Sequence, residues 1–181
     1  FIGNWWSGSE NDVKSAGKGA NGYRSLAFHG VGTDYPIYTD LKKYVYDAGK
    51  ASGAGDQVGT VVYSRGMYAA VVIAEAIRKA QELAGHAAIT APELRNGFEA
   101  LEITDARMEE LGLKGFGQAF AATCADHGGP GSAMIQQWDA TAGKWSLITD
   151  FIAPDKDVLD PLIAEDSAAY AKEAGITERC N

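Results

Sequence analysis

Cysteine is scarce: the 181 residues hold two, Cys124 and Cys180. One pair is too few for a disulfide framework, so the thiols are either buried and free or joined in a single bridge. Apolar runs of membrane length are missing too. Glu75 interrupts the most apolar stretch, Met67 to Ile77, which falls short of the ~20 residues a bilayer demands. Basic charge is the minority, with 16 Lys and Arg against 24 Asp and Glu and a formal net charge of −8. Phosphate binding needs clustered Lys and Arg, so nucleic acid is excluded as a partner. No run of like charge and no internal repeat divides the chain, and the acidity reads as a solvated surface. His127 follows Asp126 in ADHGGPG, but further ligands at metal spacing are lacking there. The glycines of that run do not lead into a helix that would cradle a phosphate. Neither a metal nor a cofactor is expected. Cys124, Asp126 and His127 are near neighbours on an extended segment, where successive side chains point to alternate faces. A thiol nucleophile with its base is therefore not expected, and neither is an enzyme.

What is present is an ordinary globular composition, 46% apolar and 22% charged, with length for one good-sized domain. The chain is organised around residues 61–84, VVYSRGMYAAVVIAEAIRKAQELA. Met67, Ala70, Val71, Ala74 and Ile77 share one face at helical spacing, and Tyr68, Val72 and Ile73 cover much of the rest. A helix apolar nearly all round is expected to be buried. Glu75 reaches Arg78 and Lys79 at i+3 and i+4, which predicts one polar stripe facing water. Gly85 ends the helix.

Around it the order is strand (1–3), a loop with two tryptophans (4–9), a short helix capped by Ser9, and a strand (23–29). A helix from Pro36 through Tyr46 follows, then a mobile Gly/Ser loop and the central helix. Thr90-Ala-Pro-Glu93 is a capping box opening a helix to about residue 100, and Thr104 opens a short turn of helix. Residues 115–123 are predicted to form a strand. Residues 132–138 and 144–151 form a hairpin across DATAG, and a last helix spans 157–174, stopped by Gly175. The fold class is α/β with an antiparallel addition. The chain opens on FIG, which reads as the inside of a strand, so a segment preceding Phe1 is expected to have been removed.

FIGNWWSGSENDV, YSRGMYAAVVIAEAIRKA and MIQQWDATAGKW, in that order, resemble the second half of a type I periplasmic binding protein. The branch is the substrate-binding family of branched-chain amino acid and amide ABC transporters. The resemblance implies two α/β lobes joined by crossing strands, with residues 1–29 and 116–181 in the C-terminal lobe and 30–115 in the N-terminal lobe. It implies an extracytoplasmic, periplasmic protein that binds a small amino acid, amide or aromatic acid in the interlobe cleft. An ABC permease in the membrane would be its partner. A missing N-terminal half would complete both lobes and supply the ligand-carboxylate contacts. A ligand-sensing regulatory domain of the same fold is the alternative role.

Export, and with it the resemblance, favours a Cys124–Cys180 bridge, which would close a loop worth roughly 3–4.5 kcal/mol of chain entropy. The family's acidic ligand contact falls nearest Glu10, with Asp12 as the neighbouring choice; a helix-dipole cap is the structural role open to either. Trp5 and Trp6 are candidates to wall an apolar pocket, with Ser7 beside them. Phe28 and His29 sit at the implied crossing, and His127 is a candidate at the cleft edge. Arg65, early in the central helix, is open to pairing either a carboxylate in the cleft or a surface acid. Without its other half, the chain is expected to leave a large apolar patch on the central helix, covered by another segment or a second copy.

Overall fold

The structure is a computed structural model describing residues 1–177 and 180; residues 178, 179 and 181 of the implied 116–181 segment lie outside the described residues. In chain order the elements are α1 (Glu10–Lys14), β1 (Arg24–Ala27), α2 (Pro36–Leu41), α3 (Val61–Ala84), α4 (Ala91–Glu99) and β2 (Glu102–Ile103). They continue with α5 (Asp105–Glu110), β3 (Phe120–Ala121), β4 (Met134–Asp139), β5 (Lys144–Leu147) and α6 (Lys156–Ala174). Two antiparallel sheets result, one ordered β1-β4-β5 and one of β2 and β3.

The register of the larger sheet follows from side-chain alternation. Met134, Gln136 and Trp138 of β4 all face inward, and Trp138 lies opposite Trp145 of β5 with ring centroids 5.3 Å apart. The predicted hairpin is thus present, although β5 stops at Leu147. Two strand expectations need correction, and one strand was not predicted. Residues 1–3 contribute only a parallel bridge from Gly3 to Ser25, because the chain turns away into the tryptophan loop. Within 115–123 only Phe120 and Ala121 form a strand, and Gly117 makes an isolated bridge to Lys114. Gly115 takes a left-handed conformation (φ 74°) and the N–H of Phe116 turns back to Leu113, so the first half of that stretch is a tight turn. The partner strand Glu102–Ile103 is too short to show an alternating pattern.

Helix limits follow local chemistry closely. Thr60 caps α3, and Thr90 and Glu93 form the expected capping box on α4. Gly85 and Gly175 take left-handed conformations that end α3 and α6. Downstream of α2 the helix widens into a π-helical turn, Lys42–Tyr46.

Two hydrophobic clusters form. One gathers Tyr38, Ala76, Leu101, Ile103, Met108, Leu113 and Phe116; the other gathers Val13, Ala20, Val61, Trp138 and Trp145. The central helix is not buried all round as its composition predicts. Its covered stripe runs along Val61, Ser64, Glu75, Ala76 and Ala80, while Val62, Ile73 and Leu83 stay exposed. The face of Met67, Ala70, Val71 and Ala74 borders an open groove of about 650 Å³ shared with Ile37, Leu41, Tyr44 and Val45. Nor does Glu75 face water. It is buried, and its carboxylate is gripped by Arg107 of α5 (2.7 and 2.9 Å) and by Arg78 (2.9 Å), while Lys79 pairs with Glu82.

Contact between α3 and α4 depends on small residues. A Cβ placed on Gly97 would lie 2.4 Å from the carbonyl oxygen of Ala76 and 2.7 Å from the Cβ of Ala80. Backbone cannot yield as a flexible side chain can, so Gly97→Ala is expected to force the helices apart at a cost of about 1–3 kcal/mol. A melting temperature unchanged by that substitution would contradict the close approach.

Candidate functional site

The tryptophan loop is anchored from below. The Asn4 side-chain oxygen accepts from the N–H groups of Trp6 (3.1 Å) and Ser7 (3.2 Å), closing one tight helical turn. Buried Gln136 of β4 donates to the Gly8 carbonyl (2.7 Å) and to the Ser25 hydroxyl (2.9 Å), tying the far end of the loop to the sheet. The Ser7 hydroxyl donates to the Asn4 carbonyl (3.1 Å) and pairs with the Tyr23 hydroxyl (3.0 Å). Those bonds hold Ser7 within the scaffold of the loop.

Held in this way, Trp5 becomes the centre of an aromatic group. Phe28 meets it edge-on at 4.9 Å and His29 at 5.2 Å. His29 in turn lies flat on Phe116 (5.2 Å, 7° between planes), and Tyr35, Tyr38 and Tyr68 surround Phe116 edge-on. The N–H of Gly30 donates to the Phe116 carbonyl at 2.7 Å, so the segments at residues 29–30 and 116 run together here. His29 is 1% exposed. Burial, opposed by the bond to Gly30 and joined by the positive charge of Arg65, pulls its pKa down to about 4, so the ring is neutral at physiological pH. Nδ1 stands 2.8 Å from the Gly30 carbonyl and carries the proton, because a carbonyl only accepts. Nε2 is buried without a partner among the described residues.

Arg65 closes the group from α3. Its guanidinium carbon sits 3.8 Å from the Trp5 ring centre and 5.4 Å from that of Trp6, and Nη2 donates to the Trp5 carbonyl at 3.3 Å. Glu10 reaches α3 from the opposite side: its two carboxylate oxygens take the Val61 N–H at 3.1 and 3.3 Å. A carboxylate at that position complements the positive end of a 24-residue helix. Asp12 is engaged within its own helix, accepting from the Ser9 N–H (2.8 Å) and hydroxyl (2.6 Å).

Of the sequence candidates, the structure therefore brings Trp5, Trp6, Phe28 and His29 together. It places Glu10 at the foot of α3 and Ser7 in the loop scaffold. His127 has a different neighbour: it is exposed, with Nε2 3.8 Å from Glu99. Arg65 forms no salt bridge among the described residues. Phe116 was not a sequence candidate. Its aromatic setting arises from three other segments, and no local spacing announces it. Among the described residues no three His, Cys, Asp or Glu side chains converge to hold a metal. No described helix is long and apolar enough to cross a membrane. Cys124 and Cys180 are bonded, with Cα atoms 5.5 Å apart, as the resemblance implied.

No protein-family model and no curated protein matches the chain. Two solved structures are similar. An ABC transporter permease from the Pseudomonas fluorescens group superposes with a TM-score of 0.91 at 40% identity, over 99% of this chain and 43% of that one. A branched-chain amino acid ABC transporter from Thermus thermophilus, solved with bound valine, superposes with a TM-score of 0.62 at 21% identity, over 87% of this chain and 41% of that one. The chain thus spans less than half the length of either structure. Its fold is a fragment of the type I periplasmic binding protein fold, and its likenesses are to ABC-transporter-related proteins.

Proposed function

We propose that this chain is the second half of an extracytoplasmic solute-binding component of an ABC importer, which closes over a small molecule beside Trp5. The observation that carries this reading is the meeting of two distant segments: Glu10 and Trp5 on one side are joined to Val61 and Arg65 of α3 on the other. A divided lobe structure, with 1–29 and 116–181 against 30–115, draws support from two separate hydrophobic clusters, whose buried residues cross that division at Val61 and Phe116. Ligand binding would shift an open–closed equilibrium through contacts made only on closure, and a membrane permease would read the closed shape. The ligand classes are amino acids, amides and aromatic acids. The uncovered face of α3 and an α6 without a buried residue support a preceding half of the same protein packing there.

The test is thermal-shift screening of the complete protein against those three classes, since a ligand that binds only the native state raises the melting temperature by mass action. Trp5→Ala is then expected to weaken the ligand found by about 2 kcal/mol, some thirtyfold in Kd, as for a central aromatic anchor. Trp6, 76% exposed, should matter less. A protein that no compound of the three classes stabilises would overturn the binding role, and unchanged affinity in both tryptophan variants would remove this loop from it.

A further inference from the structure

Granting the binding role proposed above, we infer that the site takes a carboxylic acid without an α-ammonium group, and that Arg65 reads the carboxylate. Charge and hydrogen-bonding capacity around Trp5 decide this. A guanidinium carries five N–H donors. Arg65 spends one, on the Trp5 carbonyl, and forms no salt bridge among the described residues; its Nε is buried without a partner. Its place over the Trp5 ring and beside Trp6 holds the guanidinium in advance, and its fork of donors suits it to a planar, bidentate anion. A half-buried cation with unspent donors favours an incoming negative charge.

The acids that would receive a ligand ammonium are already engaged. Both oxygens of Glu10 face the Val61 N–H at the start of α3, and the Asp12 oxygen accepts from Ser9 twice. An amino acid placed here would set its ammonium near the charge of Arg65, which has only the more distant Asp12 carboxylate to offset it and no salt bridge among the described residues. The second independent feature is His29. It is almost wholly buried, its Nδ1 proton is committed to Gly30, and its Nε2 lone pair is unmatched. A neutral imidazole with a free lone pair accepts from an uncharged O–H. The pairing of a cation with a neutral acceptor matches a 2-hydroxy acid: carboxylate on Arg65, hydroxyl on His29.

Calorimetric titration of the complete protein tests this with probes matched in side chain: 3-phenyllactate against phenylalanine and 3-phenyllactamide, and 2-hydroxy-4-methylpentanoate against leucine. Each hydroxy acid is expected to bind at least about tenfold tighter than its amino acid, and the amide more weakly than its acid. Arg65→Met should weaken the hydroxy acid by about ten- to hundredfold, the range for a charged hydrogen bond, and abolish the preference for acid over amide. Arg65→Lys should restore part of both. A lost packing contact alone would weaken acid and amide equally. An amino acid binding tighter than its hydroxy acid, or an Arg65→Met protein that still prefers acid to amide, overturns the assignment and leaves the binding role standing. If Arg65→Met does not fold, the ranking of probes in the unaltered protein decides. Binding of none of the probes overturns the assignment, while the wider thermal-shift screen decides the binding role.

Discussion

Glu75→Gln is expected to lower the stability of the protein by about 3–5 kcal/mol, because it removes one member of a buried ion network and strands the others. The Glu75 side chain is 6% exposed, and its two oxygens take four charged hydrogen bonds, two from Arg107 and two from Arg78. Arg107 belongs to α5, so the network clamps α5 onto α3. Hydrogen bonds from Arg107 come first among the causes that hold the Glu75 carboxyl down at about 2, with burial opposing and Arg78 adding to the effect. The same bonds raise the pKa of Arg107. A depressed carboxylate stabilises the fold fully above its unfolded-state pKa of about 4.5, and that contribution disappears as pH falls through about 2. Melting curves of the two proteins should therefore differ by a constant amount from pH 5 to 8 and converge between about pH 4.5 and 2. A Glu75→Gln protein that melts with the parent at neutral pH would remove the network from the account of stability.

Cys180→Ser should produce the second large effect. The bridge from Cys124 spans a separation of 56 residues. In the chain-entropy model a loop of that size contributes about 3–4.5 kcal/mol. The structure adds a location for the loss. No residue of α6 is buried, and Val158, Leu162, Ile163 and Tyr170 are exposed, so within this chain the bridge is what keeps the last helix close. Hydrogen exchange should become fast throughout α6 in the serine variant, or after reduction, while the amides of α3 along Ala76 and Ala80 keep their protection. Equal exchange in α6 with the bridge open or closed would show that other contacts hold it.

Most helices could be read directly from the sequence because their signals are local. Thr90 with Glu93, and glycines at 85 and 175, each act within a few residues, where backbone sterics and one or two hydrogen bonds decide the outcome. The hairpin is equally local, since Trp138 and Trp145 meet across a short turn. The short strand Glu102–Ile103 was not legible for the converse reason: two residues carry no period, and their pairing with Phe120 and Ala121 exists only once the chain has returned.

The candidate site divides along the same line. The residue types were visible in NWWSGSE and at Phe28–His29, because adjacent aromatics and an acid at a helix start stand out in any sequence. What each side chain does was decided by partners far along the chain. Glu10 meets Val61 across 51 residues, Arg65 meets Trp5 across 60, and Glu75 meets Arg107 across 32. Helical spacing predicted an exposed Glu75 with Arg78 and Lys79, and chain return made it a buried one with Arg107. The same holds for α3 as a whole. Its sequence alone determined that it is a helix and where it ends, because propensity and a left-handed glycine are properties of neighbouring residues, while its start at Val61 was fixed by the Thr60 cap. Only the tertiary structure decided which of its apolar faces is covered, since burial depends on what other segments bring to that face, and this chain brings enough to cover one side.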